Sequence, residues 1–207
     1  MNSVIRVLIV DDHTIVQQGL AAVINKQPDM TVVGEAKDGI EAIALFRQLQ
    51  PDVTLMDLRM PQMGGAEAIS AICAEFSTAR IIVLTTYDGD EDIYQGLRAG
   101  AKGYLLKDCE PSDLRAAIRT VHEGQRYIPP HVAAKLVQRL DHPELSQREI
   151  EILRLVVQGM NNLEISTALN ISESTVKSNL SRLLSKLGAK DRVQAAIIAL
   201  KRGIAIL

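Results

Sequence analysis

Residues 53–61 read VTLMDLRMP, a short β-rich run that stops abruptly at a carboxylate, Asp57. Burying an unpaired carboxylate is costly or forces it to take up a proton. Asp57 is therefore either a poised group at the open end of a buried strand or simply the first residue of a loop. The rest of the chain repeats the pattern. RVLIV (6–10) runs into Asp11 and Asp12, RIIVL (80–84) into Thr85 and Thr86, and GYLL (103–106) into Lys107. With MTVVGEA (30–36) these make five strand candidates, several continuously aliphatic as in a sheet covered on both faces.

Between them, residues 15–25, 39–49, 66–76, 92–99 and 112–123 place apolar side chains at helical spacing. Strand–helix alternation repeated five times implies parallel strands with helices on both faces. The expected architecture is a flavodoxin-like, doubly wound, five-stranded α/β domain over residues 1–123. Residues 124–144 then read as a linker. The prolines of YIPPH (127–131) cannot continue a helix, HVAAKLVQRL (131–140) forms one helical piece, and LDHPE (140–144) is a connector.

Residues 145–207 read as an all-α domain of four helices. Ser146 with Glu149 is a capping box opening SQREIEILRLVVQ, which Gly159 ends. NNLEISTALN (161–170) is a short second helix. Ser172 caps a longer third, ESTVKSNLSRLLSKL, closed by Gly188, and Asp191 with Gln194 opens the fourth, RVQAAIIALKRG. The second and third helices have the proportions of a helix-turn-helix.

Composition narrows the class further. The chain has 207 residues, no Trp and only six Phe or Tyr, so its core is aliphatic. No apolar run is long enough for a membrane helix, and the acidic turn after RVLIV is wrong for a signal peptide. Cys73 and Cys109 are too few for a disulfide framework; Cys109, beside Lys107-Asp108, invites a redox reading, but with no second cysteine nearby in sequence none is assigned to it. These features describe a cytoplasmic chain with reduced thiols and no membrane partner. Its net charge of −2 hides an asymmetry: residues 1–122 carry 11 Lys and Arg against 17 Asp and Glu, residues 145–207 carry 9 against 5. An acidic first module and a basic last one fit a polyanion partner for the second.

Ligands of doubly wound sheets bind beyond the carboxyl ends of the strands, where strand order reverses. There the first and third strands are neighbours, so Asp11, Asp12 and Asp57 converge. Three such carboxylates repel and invite a hard divalent cation, and Mg2+ suits them because it keeps waters and accepts a phosphate oxygen. Lys107 and the Thr85 hydroxyl supply the positive charge and the donor that a transferring phosphoryl group needs.

This constellation, with DD, MDLRMP, TT and K at successive strand ends over residues 4–122, resembles the receiver domain of bacterial response regulators. The resemblance implies that Asp57 accepts a phosphoryl group from a sensor histidine kinase. It implies too that Asp11, Asp12, Asp57 and the backbone carbonyl of Arg59 hold Mg2+ or Mn2+, and that Lys107 pairs with the phosphoryl group. Thr85, preferred to Thr86 because alternate strand residues face opposite ways, would hydrogen-bond it and draw in a switch residue, Tyr104. His13, completing a DDH motif, reads as a helix-start or solvated residue without assigned chemistry, and Gly64-Gly65 as a turn before the third helix. Lys107 is followed by Asp108 where many receivers have proline, and DDH with GYLLKD is typical of the NarL/FixJ subfamily.

On the third helix, Val176, Leu180, Leu183 and Leu187 form one apolar face, and Ser174, Lys177, Ser178, Ser181, Arg182 and Ser185 the opposite one. Short hydroxyls let a helix sit deep in a major groove while Lys and Arg reach phosphates or guanine edges. Residues 145–200 resemble the LuxR-type DNA-binding domain. That resemblance implies contacts to double-stranded DNA by Lys177 and Ser178 at base edges, and by Ser174, Ser181, Arg182 and Lys186 at bases or backbone. It also implies homodimerisation through part of the fourth helix, which carries Val193, Ala196, Ile197 and Leu200. Leu163 departs from the polar residue usual before Glu-Ile. The expected function is a phosphorylation-controlled transcription factor, not an enzyme acting on separate substrates. The alternatives are a constitutive DNA binder and a magnesium-dependent phosphatase.

Overall fold

The computed structural model describes residues 4–86, 89–140 and 143–205, with the side chains of residues 138–140 set aside. Two compact units emerge, each built around its own core.

In the first unit, five parallel strands, β1 (Ile5–Val10), β2 (Met30–Ala36), β3 (Val53–Met56), β4 (Ile81–Thr85) and β5 (Gly103–Leu106), lie in the order β2-β1-β3-β4-β5. Helices α1 (Thr14–Asn25), α2 (Gly39–Leu49), α3 (Gly65–Glu75), α4 (Asp90–Arg98) and α5 (Pro111–His122) connect and follow them. This is the expected doubly wound fold. Alternate residues supply one core: Val7, Ile9, Val53, Leu55, Ile82, Leu84 and Leu105 pack with Leu114, Ile118 and Val121 of α5. The other residues of the same strands are also buried, Leu8, Val10, Met56 and Val83 among them, which is why these strands read as continuous apolar runs. Thr85 belongs to β4 rather than following it.

The stretch expected as a plain linker begins by docking on the sheet. Tyr127 donates its N–H to the Lys102 carbonyl at 3.0 Å and its carbonyl accepts from Tyr104 N–H at 3.0 Å. One residue thus satisfies part of the open edge of β5, an edge that invites unwanted pairing when left bare. Helix α6 (Pro130–Leu140) follows, with proline at its start, where a missing N–H costs nothing. The connector at 140–144 falls partly outside the described residues.

The second unit contains α7 (Gln147–Val157), α8 (Asn162–Ala168), α9 (Glu173–Leu187) and α10 (Arg192–Arg202). The capping box at Ser146 and Glu149 is present, the Ser172 and Asp191 caps form, and Gly188 closes α9 in the left-handed conformation. A second capping box, Asn161 with Glu164, opens α8 and was not read from the sequence. Leu153, Val157, Leu183, Leu187, Ala195 and Ala199 build one cluster, and Ile152, Val156, Ile165 and Val176 a second.

One glycine fixes the loop after β3. A Cβ on Gly65 would lie 1.9 Å from the carbonyl oxygen of Asp57 and 2.9 Å from Leu58 Cα. Gly65 N–H also donates to the Leu58 carbonyl at 2.9 Å. Any side chain there must push the Asp57 backbone aside. Gly65→Ala is expected to destabilise the first domain by about 1–3 kcal/mol, the usual cost of overpacking, in urea unfolding; an unchanged midpoint would show that the loop relaxes freely.

Candidate functional site

The strand ends hold their polar residues in place through the ladder itself. Asp11 N–H donates to the Ala36 carbonyl at 3.0 Å, Asp57 N–H to the Val10 carbonyl at 2.9 Å, and Lys107 N–H to the Thr85 carbonyl at 2.8 Å. Each residue is the first beyond its strand and is still anchored to the neighbouring one. The backbone at this edge is therefore rigid before any side chain is considered.

Asp57 is 4% exposed and Asp11 1%. Lys107 crosses the end of β4 to reach both, its Nζ lying 2.6 Å from Asp57 Oδ2 and 2.7 Å from Asp11 Oδ2. The other oxygen of Asp57 accepts from Leu58 N–H at 2.7 Å. Burial pushes the Lys107 ammonium toward lower pKa, but hydrogen bonds and charge from Asp11 and Asp57 outweigh it and hold the group above its ordinary value. Ligand atoms of Asp11, Asp12, His13 and Asp57 all lie within 4.8 Å of one another. Three carboxylates, one lysine and one imidazole thus meet at one end of the sheet.

Of the other expected residues, Arg59 stands two positions beyond Asp57 and its N–H makes a long 3.4 Å contact to Asp57 Oδ1. Thr85 is fully buried at the end of β4, whereas Thr86 is exposed. Tyr104 is also fully buried and pairs in register with Val83, so it shares a sheet face with Thr85. Val83 meets Gly96 of α4 on that face. Sequence reasoning missed Gln17. It is buried on α1, and its Nε2 donates to the carbonyls of Asp11 at 2.9 Å and Ala36 at 2.7 Å, clasping the ends of β1 and β2. One more glutamine on a polar-looking helix face gave no signal of this.

Both thiols are half-buried and free, and burial raises the pKa of each. Protonated thiols are poor nucleophiles.

On α9, Ser174, Lys177, Ser178, Ser181, Arg182 and Ser185 are exposed together on one face. Arg182 Nη2 donates to Asn179 Oδ1 at 3.0 Å, and Asn179 Nδ2 to the Thr175 carbonyl at 2.8 Å, which steadies the guanidinium stem. Asn179 is buried, so the inward stripe runs Val176, Asn179, Leu183, Leu187, with Leu180 only partly covered. Lys186 differs from its neighbours. Its Nζ is 2.7 Å from Glu149 Oε2 and 3.0 Å from the Glu144 carbonyl, and Glu149 is 3% exposed. Burial pushes the Glu149 carboxyl up, but Lys186 and the Ser146 N–H and hydroxyl more than offset this and hold it below the usual range. Lys186 is engaged in holding the helix to the start of α7.

A doubly wound domain with an acidic strand-end pocket, and a four-helix unit with a helix-turn-helix, define a two-module regulator. Residues 7–119 match the response regulator receiver domain family, and residues 143–199 match the bacterial regulatory proteins of the luxR family. The transcriptional regulatory protein LiaR of Bacillus subtilis is 44% identical over 203 residues, covering 94% of this chain and 96% of LiaR. Among solved structures, the response regulator ChrA of a heme-sensing two-component system is 39% identical, with a TM-score of 0.59 over 99% of this chain and all of that one. A structure of two RcsB dimers bound to two parallel DNAs is 29% identical, with a TM-score of 0.68 over 96% of this chain and 99% of that one. The chain belongs to the two-component response regulators with a receiver domain and a LuxR-type DNA-binding domain. It is a transcription regulator of the NarL/FixJ type. Among the described residues, no helix is long and apolar enough to cross a membrane.

The Lys186–Glu149 pair separates structural from binding roles on α9. Lys186→Ala strands a buried carboxylate and is expected to cost about 1–3 kcal/mol at pH 7, below the figure for a fully buried pair because Lys186 is partly exposed. Glu149 is held below its unfolded pKa, so its contribution is present above the ordinary glutamate range and is lost as pH falls through the folded value. The stability curves of wild type and Lys186→Ala should converge on acidification. A gap that persists at acid pH would mean that packing, not the ion pair, carries the effect.

Proposed function

We propose that Asp57 is the phospho-acceptor through which a sensor histidine kinase controls DNA binding by this protein. The observation that carries this is the buried Asp57 carboxylate at the open end of β3, 2.6 Å from Lys107 Nζ and grouped with Asp11 and Asp12. An Asp57 carboxylate oxygen attacks the phosphorus of a phosphoimidazole; the P–O bond forms, the P–N bond breaks, and the imidazole leaves with the electron pair. Asp57 is the nucleophile, and Lys107, already seated against it, stabilises charge on the transferring oxygens. Thr85, at the neighbouring strand end, donates its hydroxyl to the phosphoryl group, and Tyr104 on the same sheet face responds.

The donor set fits a hard divalent cation. Asp11, Asp12, Asp57 and the Arg59 carbonyl would hold Mg2+ or Mn2+, with oxygen ligands throughout. Such an ion, when bound, supplies charge neutralisation for the phosphoryl oxygens. Lys107 by itself cannot balance three carboxylates, which supports this reading.

The receiver occupies residues 1–123, the linker 124–144 and the DNA-binding domain 145–207, in the cytoplasm. In the last domain Lys177, Ser178, Ser174, Ser181 and Arg182 face double-stranded DNA, with Lys186 acting from the edge of that surface through its hold on Glu149. Val193, Ile197 and Leu200 are exposed at i, i+4 and i+7 on α10, an apolar stripe suited to a homodimer. Pairing two domains compensates for the modest charge of each, since phosphate neutralisation supplies much of the affinity for DNA. The chemistry of the receiver is confined to phosphorylating Asp57 and hydrolysing that same bond.

Incubation with acetyl phosphate followed by intact-mass analysis is expected to show one phosphoryl adduct on wild type that requires Mg2+ and is lost in Asp57→Asn. No adduct on folded wild type would favour the constitutive binder, and steady turnover of an added phospho-substrate would favour the phosphatase. For the DNA surface, Lys177→Ala and Arg182→Ala should each weaken operator binding by about 1–3 kcal/mol, and a phosphate contact among them should lower the salt slope by about one. Unaltered binding in both variants would remove this face of α9 from the interface.

A further inference from the structure

A cavity of about 570 Å3 opens within the first unit, between the loop that follows β5 and the stretch that follows α5. Its apolar wall is Leu105, Leu106, Ile128 and Pro129, and Tyr127 adds an aromatic ring. Asp108, Asp113 and Arg126 bring charge to the lining, alongside the His131 imidazole and the half-buried Cys109 thiol. The strand-end site around Asp57 uses none of these side chains. Small-molecule sites run from about 300 to 1,000 Å3 and combine an apolar lining with a few placed polar groups, and this cavity has both properties.

Two carboxylates against one guanidinium leave the lining negative. Among the described residues, neither Asp108 nor Asp113 forms an ion pair or a side-chain hydrogen bond. Their field reaches the interior. Burial first raises the pKa of the Cys109 thiol, and the charges of Asp113, Asp108 and Glu110 add to it. Burial also comes first for the Tyr127 phenol, with Asp113 next. An anionic ligand would meet the repulsion that keeps both groups protonated, whereas a cation meets the reverse. The Tyr127 ring favours a cation too, through the negative face of its π-system.

We propose that this cavity binds a small amphipathic cation, an amine on an apolar or aromatic body, with its ammonium toward Asp108 and Asp113 and its body against Leu105, Ile128 and Pro129. The volume exceeds what one lysine side chain of a docked protein fills, so the occupant is a free small molecule. Binding there also holds the linker. Tyr127 N–H donates to the Lys102 carbonyl and the Tyr127 carbonyl accepts from Tyr104 N–H, both at 3.0 Å. A molecule seated between the β5–α5 loop and residues 126–129 keeps that short pairing closed.

Tryptamine, with neutral tryptophol and anionic indole-3-propionate as its isosteres, tests this on the full chain at about pH 8, where the amine is charged. Alkylation of Cys109 by iodoacetamide, read by peptide mass analysis relative to the rate without ligand, reports occupancy. Cys73, on α3 and outside the cavity, is the internal control. The expected result is saturable shielding of Cys109 but not Cys73 at about millimolar tryptamine, the affinity that a ligand of about a dozen heavy atoms supports. The two isosteres should need at least about tenfold more, and Asp108→Asn combined with Asp113→Asn should weaken shielding by tryptamine about tenfold. Hydrogen exchange at the Tyr104 and Tyr127 amides should slow when tryptamine is bound. Equal shielding by all three compounds, or by tryptamine in wild type and the double variant, would overturn the cation assignment. Equal shielding of both cysteines, or none of Cys109, would overturn the site itself. Shielding of Cys109 with unchanged exchange would overturn the hold on the linker.

Discussion

Lys107 sits between two carboxylates that the sheet forces together. The strand order places β1 beside β3, so Asp11 and Asp57 emerge side by side from a rigid edge and repel. Lysine reaches them from β5, two strands from β3, by laying its side chain over the end of β4, where Thr85 lies buried. Its long flexible stem and compact charge suit that crossing; a shorter cation would not span it. Asp57, its counter-charge and the buried threonine thus come from three successive strands. A change in charge at Asp57 is felt first by Lys107 and the loops that carry it.

The DNA-binding domain solves a similar problem by different means. Helix α9 must bury one side against α7 and α10 while leaving the other bare. Leu183 and Leu187 enter the cluster with Leu153 and Ala199, and the Lys186–Glu149 pair ties the same helix to the capped start of α7. Glu149 therefore serves twice, closing the capping box through Ser146 and anchoring Lys186. The exposed hydroxyls and the Lys177 and Arg182 cations are what remains outside, displayed on a helix whose orientation within its own domain is held by packing and charge together.

Much of this was legible in the chain. Aliphatic runs ending in Asp, Thr or Lys located the strands and the polar residues at their carboxyl ends, because parallel strands buried on both faces need continuous apolar residues. Ser146 with Glu149, Ser172 and Asp191 marked helix starts by local hydrogen-bonding rules. Other features were not legible. These are the burial of Gln17 and Asn179, the hold of Lys186 on Glu149, the docking of Tyr127 along β5 and the turn of the His13 ring toward Asp11 and Asp12. Each takes its place from a partner brought near by folding: Glu149 lies 37 positions from Lys186, and Ala36 lies 19 from Gln17.

The amino-acid sequence by itself determined the fold class, the order of modules and the residue types gathered at the strand ends, since these follow from periodicity, capping and the abrupt ends of apolar runs. Only the tertiary structure decided which charges face one another, which polar side chains are buried, and that the imidazole of His13 turns toward the carboxylates instead of capping α1. Local pattern encodes the direction of a backbone, but an ion pair or a clasp depends on distances between segments, and those exist only once the sheet and the helices have packed.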